Sequence, residues 1–223
     1  MRNKLNNESF SSIPAFPLEG VHLFPHMVLS ITIFDPKYID LVDYALEHDQ
    51  LISIASPMPK SVGLSDGDQE PPFRPILGAG EIITKKEVAP KRYVIFVHGV
   101  TRILLREELE KTHAFRQVEA EILRDEAVDQ ASLQTKENEL RNLMQVYAAA
   151  HAKSAEDIYT ILKKSANAEV LSHLLGARIP CSPKDKRKIF EELNPLQRLE
   201  LIKRHLSGLL LKVTRQKKSL CIH

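Results

Sequence analysis

The sequence predicts an α+β chain, with a β-rich first half and an all-helical second half. Three observations carry this reading. Ten of the 13 prolines fall before Val100. In that part, short β-branched runs alternate with turn residues, and after Asp129 the apolar residues recur at helical spacing. The expected organisation is a disordered tail over 1–11, a β-rich subdomain over 12–126, a helical bundle over 127–214 and a basic C-terminal tail over 215–223.

The first predicted strand is Val28–Phe34, rich in β-branched residues. It ends at Asp35-Pro36, where Asp35 accepts from orphan helix amides and Pro36 presets the first-turn φ. Tyr38, Leu41, Val42, Ala45 and Leu46 then form one apolar helical stripe. Leu51–Ala55 reads as a short buried strand.

From Pro57 to Pro75 the chain carries five prolines together with Gly63, Ser65, Asp66, Gly67 and Asp68, a loop of unusual length. Ile76–Thr84 and Arg92–Val100 are expected to pair as a hairpin around Lys86–Pro90. Tyr93 to Val97 is an unbroken apolar run, which predicts a strand covered on both faces. Thr101–Arg106 and Phe115–Leu123 complete the predicted sheet.

In the second half, Asp129 is placed to cap a helix with Leu133, Leu140, Leu143, Met144 and Tyr147 inward. Ser154 and Asp157 read as a capping pair before Ile158, Ile161 and Leu162. Val170, Leu171, Leu174 and Leu175 precede Gly176, read as a left-handed stop. Ser182-Pro183 and Asn194-Pro195 start the last two helices, the final one lined by Leu196, Leu199, Ile202, Leu206, Leu210 and Val213.

Composition excludes several classes. A net charge of +2 is too small to predict a nucleic-acid partner by itself. Cys181 and Cys221 are far apart and form no CxxC, which suits a reducing compartment. No run approaches the roughly 20 apolar residues of a membrane span, nor the apolar core of a secretory signal. The reading is a cytoplasmic protein with no membrane contact.

No catalytic, cofactor-binding or metal residue is assigned. There is no phosphate-binding GxxxxGK[ST] loop and no GxSxG elbow, so neither nucleotide nor hydrolase chemistry has a motif. Gly78-Ala79-Gly80 lacks the third glycine of a dinucleotide fingerprint and precedes a strand. His22 and His26 are four apart, but Pro25 lies between them in a loop. His98 reads as a core or rim histidine. Asp66-Gly67-Asp68 lacks the glutamate a calcium loop requires.

Several blocks resemble one family: Pro14, Phe16, Pro17 and Leu18; Leu23-Phe24-Pro25; Ile33-Phe34-Asp35-Pro36-Lys37-Tyr38; Ala45-Leu46; Gly80 with Ile82; Gly99-Val100-Thr101-Arg102; and Ala177 to Leu201, including Glu191 to Leu199. Together they resemble the substrate-binding N-terminal domain of the ATP-dependent Lon protease, over most of residues 12–210. His26 stands where that family usually has glycine, Asp35 for glutamate and Lys37 for arginine. The resemblance implies a PUA-like β pseudo-barrel with a packed helix, then a helical bundle. It also implies a stand-alone module that grips unfolded or exposed apolar polypeptide segments, as an adaptor or regulator of proteolysis beside a separate ATPase or protease, without the ATPase and peptidase regions.

Met58, Leu64 and Phe73 in the long loop are the candidate polypeptide contacts. The alternative is RNA binding through Lys85, Lys86, Lys91 and Arg92 at the hairpin, with a weaker basic contribution from Lys212, Arg215, Lys217 and Lys218.

Overall fold

A computed structural model describes residues 9–59, 70–150 and 152–220, in two compact units divided between Arg124 and Asp125. No helix among the described residues is long and apolar enough to cross a membrane.

Among the described residues, the first unit contains six strands and one helix: β1 (Ser9–Pro17), β2 (Val28–Ile33), α1 (Pro36–Glu47), β3 (Leu51–Ala55), β4 (Ile76–Ala89), β5 (Arg92–Glu108) and β6 (Arg116–Leu123). The sheet order is β2-β5-β4-β3-β1-β6, and a further β5–β6 pairing turns it into a ring. β5 makes this possible because it is long. Residues 93–98 pair with β2, and residues 102–108 pair with β6. β1 and β3 run parallel, with Phe16 opposite Ile54; the other pairings are antiparallel.

Two apolar clusters fill this unit. One gathers Leu23, Ile31, Ile33, Leu41, Ile52, Ile95 and Val97. The other gathers Ile13, Phe73, Leu77, Ile103 and Val118. Each fully buried side chain of this size is worth about 1.5–3 kcal/mol of transfer free energy. α1 begins as predicted: the Asp35 carboxylate accepts from the Lys37 amide at 3.0 Å, and Leu41, Val42 and Ala45 are buried.

Several expectations need correction. β1 begins at Ser9, so residues 9–11 belong to a strand rather than a tail; Ser9 and Phe10 pair with Glu121 and Ala120. Pro14 and Pro17 hide this strand in the sequence, since proline cannot donate to a ladder. The hairpin is longer than predicted. Its strands run through 86–89, and the chain reverses at Pro90-Lys91, with Lys91 at φ 56°. Thr101–Arg106 is the continuation of β5, not a separate strand.

The second unit is a helical bundle: α2 (Gln130–Ala150), α3 (Ala152–Lys164), α4 (Ala168–Arg178), α5 (Pro183–Glu191) and α6 (Pro195–Leu220). Asp129 Oδ2 accepts from the Ser132 amide at 2.8 Å, and Asn194 Oδ1 from the Leu196 amide at 3.0 Å. Ser154 lies inside α3, so it is not that helix's cap. Gly176 is helical and buried, and α4 continues to Arg178. The Lys186 ammonium explains the later stop, because it donates to the carbonyls of Gly176, Ala177 and Ile179. α6 runs through the expected tail boundary to Leu220.

The bundle's core includes a buried charge that periodicity missed. Arg198 is 0% exposed. Its guanidinium donates to Ser172 Oγ at 2.8 Å, to Asp125 Oδ1 at 2.8 Å, to Asp125 Oδ2, and to the Glu192 carbonyl at 2.9 Å. A buried guanidinium is tolerable only when its donors are satisfied in this way.

Candidate functional site

Residues in register across a sheet share a face, so the β2–β5–β4 pairings sort their side chains into two sets. Ile31, Ile33, Ile95, Val97 and Ile82 point into the core. The opposite set forms four rows: Val28, His98 and Glu81; Ser30, Phe96 and Thr84; Thr32, Val94 and Lys86; and Phe34, Arg92 and Ala89. The fourth row continues the β2 register by one residue. The Arg92 guanidinium confirms it by lying 5.8 Å from the Phe34 ring centroid.

This outer face is open. Val28 is 48% exposed, Phe34 65% and Phe96 39%, while Ser30, Thr32, Thr84, Lys86 and Arg92 are also exposed. The apolar run Tyr93–Val97 is therefore covered on one side only, a correction to its predicted burial on both. Phe96 and Val94 fall on the uncovered side because a strand alternates its side chains strictly. Ile83, at the irregularity between Ile82 and Thr84, is exposed beside the face.

The Leu23-Phe24-Pro25 segment holds the inner side of this sheet in place. A Cβ on Gly78 or Gly99 would strike the carbonyl oxygens of Leu23 and Phe24 respectively. A Cβ on Gly80 would lie 2.6 Å from Leu23 Cδ2. The Gly78-Ala79-Gly80 fragment is thus a packing device for a crossing chain. His26 closes that crossing with φ 66°, the left-handed conformation glycine would adopt more cheaply, and its amide donates to the Gly99 carbonyl at 2.8 Å.

The long-loop candidates fare unequally. Phe73 is 2% exposed and belongs to the second apolar cluster. It offers no surface to a partner, because its ring lies under the Arg116 guanidinium and its segment bridges Pro57. Met58 is exposed, with its amide donating to the Pro72 carbonyl at 2.8 Å. Leu64, Asp66 and Asp68 lie outside the described residues. At the loop's base, Lys37 Nζ donates to Glu70 at 2.8 Å, and this hydrogen bond holds the Glu70 carboxyl below its ordinary value.

The basic candidates are divided too. Lys85 pairs with Asp43 and sits over the Tyr93 ring, whereas Lys86, Lys91 and Arg92 are exposed. Lys212 is exposed, and the side chains of Arg215, Lys217 and Lys218 lie outside the described residues.

Two other places carry polar or aromatic groups. A small cleft of about 110 Å³ is lined by Phe10, Pro14, Tyr44 and His48, with Tyr44 and His48 stacked at 4.1 Å. Asp125, Glu169 and His173 bring ligand atoms within 4.8 Å of one another. Both Asp125 oxygens already accept from Arg198, so a fixed positive charge stands where a metal ion would be repelled. His22 and His26 gain no third ligand among the described residues.

Residues 12–208 match the family model of the ATP-dependent protease La (LON) substrate-binding domain. The chain belongs to that family. It is 26% identical over 202 residues to a Lon protease of Geobacter metallireducens, covering 87% of this chain and 24% of that one. It is 23% identical over 193 residues to a Lon protease of Brevibacillus choshinensis, covering 85% and 24%. The chain thus spans about a quarter of these relatives' length.

Its fold matches the N-terminal domain of a Mycobacterium avium complex Lon protease, with TM-score 0.70 and 16% identity over 88% of this chain and 98% of that one. A Lon N-terminal domain protein from Xanthomonas campestris matches at TM-score 0.64 and 16% identity, over 87% and 98%. The chain is a substrate-recognition module of the Lon type, and its α+β fold is that of Lon N-terminal domains.

Proposed function

We propose that this chain is a non-catalytic polypeptide-binding module whose gripping surface is the outer face of β2, β5 and β4. One observation carries the reading: Val28 and Phe96 stay exposed in adjoining rows, and Phe34 two rows further on, of a sheet whose other face is a packed core. Contiguous exposed apolar surface rimmed by polar groups marks an interaction site. Its hydroxyl and aromatic composition suits a segment of unfolded chain better than a small ligand, which needs a concave pocket.

Met58 is a second candidate contact. The partner class is unfolded or exposed apolar polypeptide, and a separate ATPase or protease is what such an adaptor or regulator would serve. Such a module belongs in the cytoplasm, where its widely separated cysteines stay reduced. RNA is the weaker reading, because Asp43 engages Lys85, and Glu87 lies among the remaining hairpin cations.

The test is calorimetric titration with reduced, carboxymethylated α-lactalbumin, followed by mass analysis of the recovered client. Saturable binding with the client intact is expected. Absence of binding, or cleavage of the client by the purified chain, would overturn the proposal.

A further inference from the structure

The outer face of β2–β5–β4 is electrically lopsided along its strands. Glu81 lies in the first row, across His98 from Val28, while Lys86 lies in the third row and Arg92 in the fourth beside Phe34. Lys86 and Arg92 are exposed and neither has a carboxylate opposite it in the sheet, since their register partners are Val94 and Ala89. Phe96 sits between the two ends. Arg92 is four residues from it along β5, about 13 Å at roughly 3.3 Å per strand residue.

An extended segment lying along these strands has the same rise and the same two-residue period. A side chain seated on Phe96 and another four residues away would therefore point to the same face, with the second one at the basic end.

We infer that this face selects extended segments in which an apolar anchor is followed or preceded, about four residues away, by an acidic residue, with the carboxylate placed at Lys86 and Arg92. Charge complementarity is the basis. With the segment reversed, its acidic side chain would leave Lys86 and Arg92 and lie on the Glu81 side of Phe96, where like charge repels it, so the seated segment has one preferred direction. A solvent-screened pair of this kind changes affinity modestly and is weakened by salt. The inference rests on the polypeptide-binding reading and adds its charge rule.

The experiment is fluorescence anisotropy with labelled peptides that share an apolar core and carry either Asp or Lys four residues from the anchor, at low and high salt. The Asp peptide should bind about two- to fivefold tighter at low salt, with the gap closing at high salt. The double variant Lys86→Glu, Arg92→Glu should reverse the preference, and circular dichroism would establish that it folds.

Equal affinity for both peptides, with Phe96→Ser weakening both, would overturn the charge rule and leave polypeptide binding standing. Neither peptide binding, with salt-dependent binding of single-stranded RNA instead, would overturn both. Concentration-dependent dimerisation abolished by Phe96→Ser would make a second copy the occupant and overturn the rule as well.

Discussion

The Arg116 guanidinium carbon lies 3.4 Å from the centroid of the Phe73 ring. Cation and ring are both buried, and Arg116 also donates to Glu108 Oε2 and to the Pro71 carbonyl. The contact fastens the returning end of the long loop to β6. Phe73 therefore acts through packing, not through capture of a client.

Phe73→Ala should cost about 3–5 kcal/mol, the usual range for emptying a buried aromatic site. Urea denaturation of the wild type and the variant measures it. A loss below about 1 kcal/mol would mean that this end of the loop is not part of the core.

Gly99→Ala should destabilise the first unit at or beyond the upper end of the 1–3 kcal/mol typical of overpacking. The added methyl meets the Phe24 backbone carbonyl, which cannot rotate away as a side chain would. Gly208→Ala, where nothing lies within 4 Å, is the control and should be neutral or slightly stabilising within its helix.

Arg198→Ala should destabilise the helical unit by roughly 3–5 kcal/mol, since it removes the guanidinium that pairs with the Asp125 carboxylate and donates to the Glu192 carbonyl. The double variant Arg198→Met, Asp125→Leu should recover much of that loss, because apolar replacement removes both charges together. Thermal melts of the two variants decide it. Equal losses would show that the charge pair is not the source.

Stability should fall on acidification. Glu70, Asp129 and Asp185 each have a carboxyl held below its ordinary value, by Lys37, by Ser132 and by Ser182 respectively. Their folded values lie below their unfolded ones, so the stabilisation is complete above the unfolded values of 4.5 for Glu and 3.8 for Asp. It is lost as pH falls through the folded values, where the unfolded chain takes up more protons. Melting temperature should hold from pH 7 to about pH 5 and decline below that. Glu70→Gln should soften the decline, and an unchanged profile would contradict the Lys37–Glu70 contribution.

Much of the fold was legible because local signals agreed with tertiary demand. Asp35-Pro36, Ser182-Pro183 and Asn194-Pro195 each mark a helix start by capping chemistry that needs no distant partner. The misses depended on distant partners. Pro14 and Pro17 concealed β1, whose ladder exists only because β3 and β6 flank it. Gly176 looked like a stop until Lys186, ten residues on, took up the helix's last carbonyls.

The site was the least legible part. Tyr93 to Val97 gives no sign of which alternate side chains lack a cover, because that depends on what packs outside the sheet. The long loop drew attention by its length, yet Phe73 within it is core. Phe34, a large apolar residue immediately before a helix cap, was the one local hint of an exposed face.

The most direct measurement compares binding of an unfolded, fluorescently labelled α-lactalbumin by the wild type, by Val28→Ser/Phe96→Ser, and by Val146→Ser. Val146 is more exposed than either but lies on a helix of the other unit. Affinity should drop at least tenfold in the double variant and stay unchanged in Val146→Ser, given about 1 kcal/mol or more for each lost apolar contact. Undiminished binding by a folded Val28→Ser/Phe96→Ser variant would contradict the account.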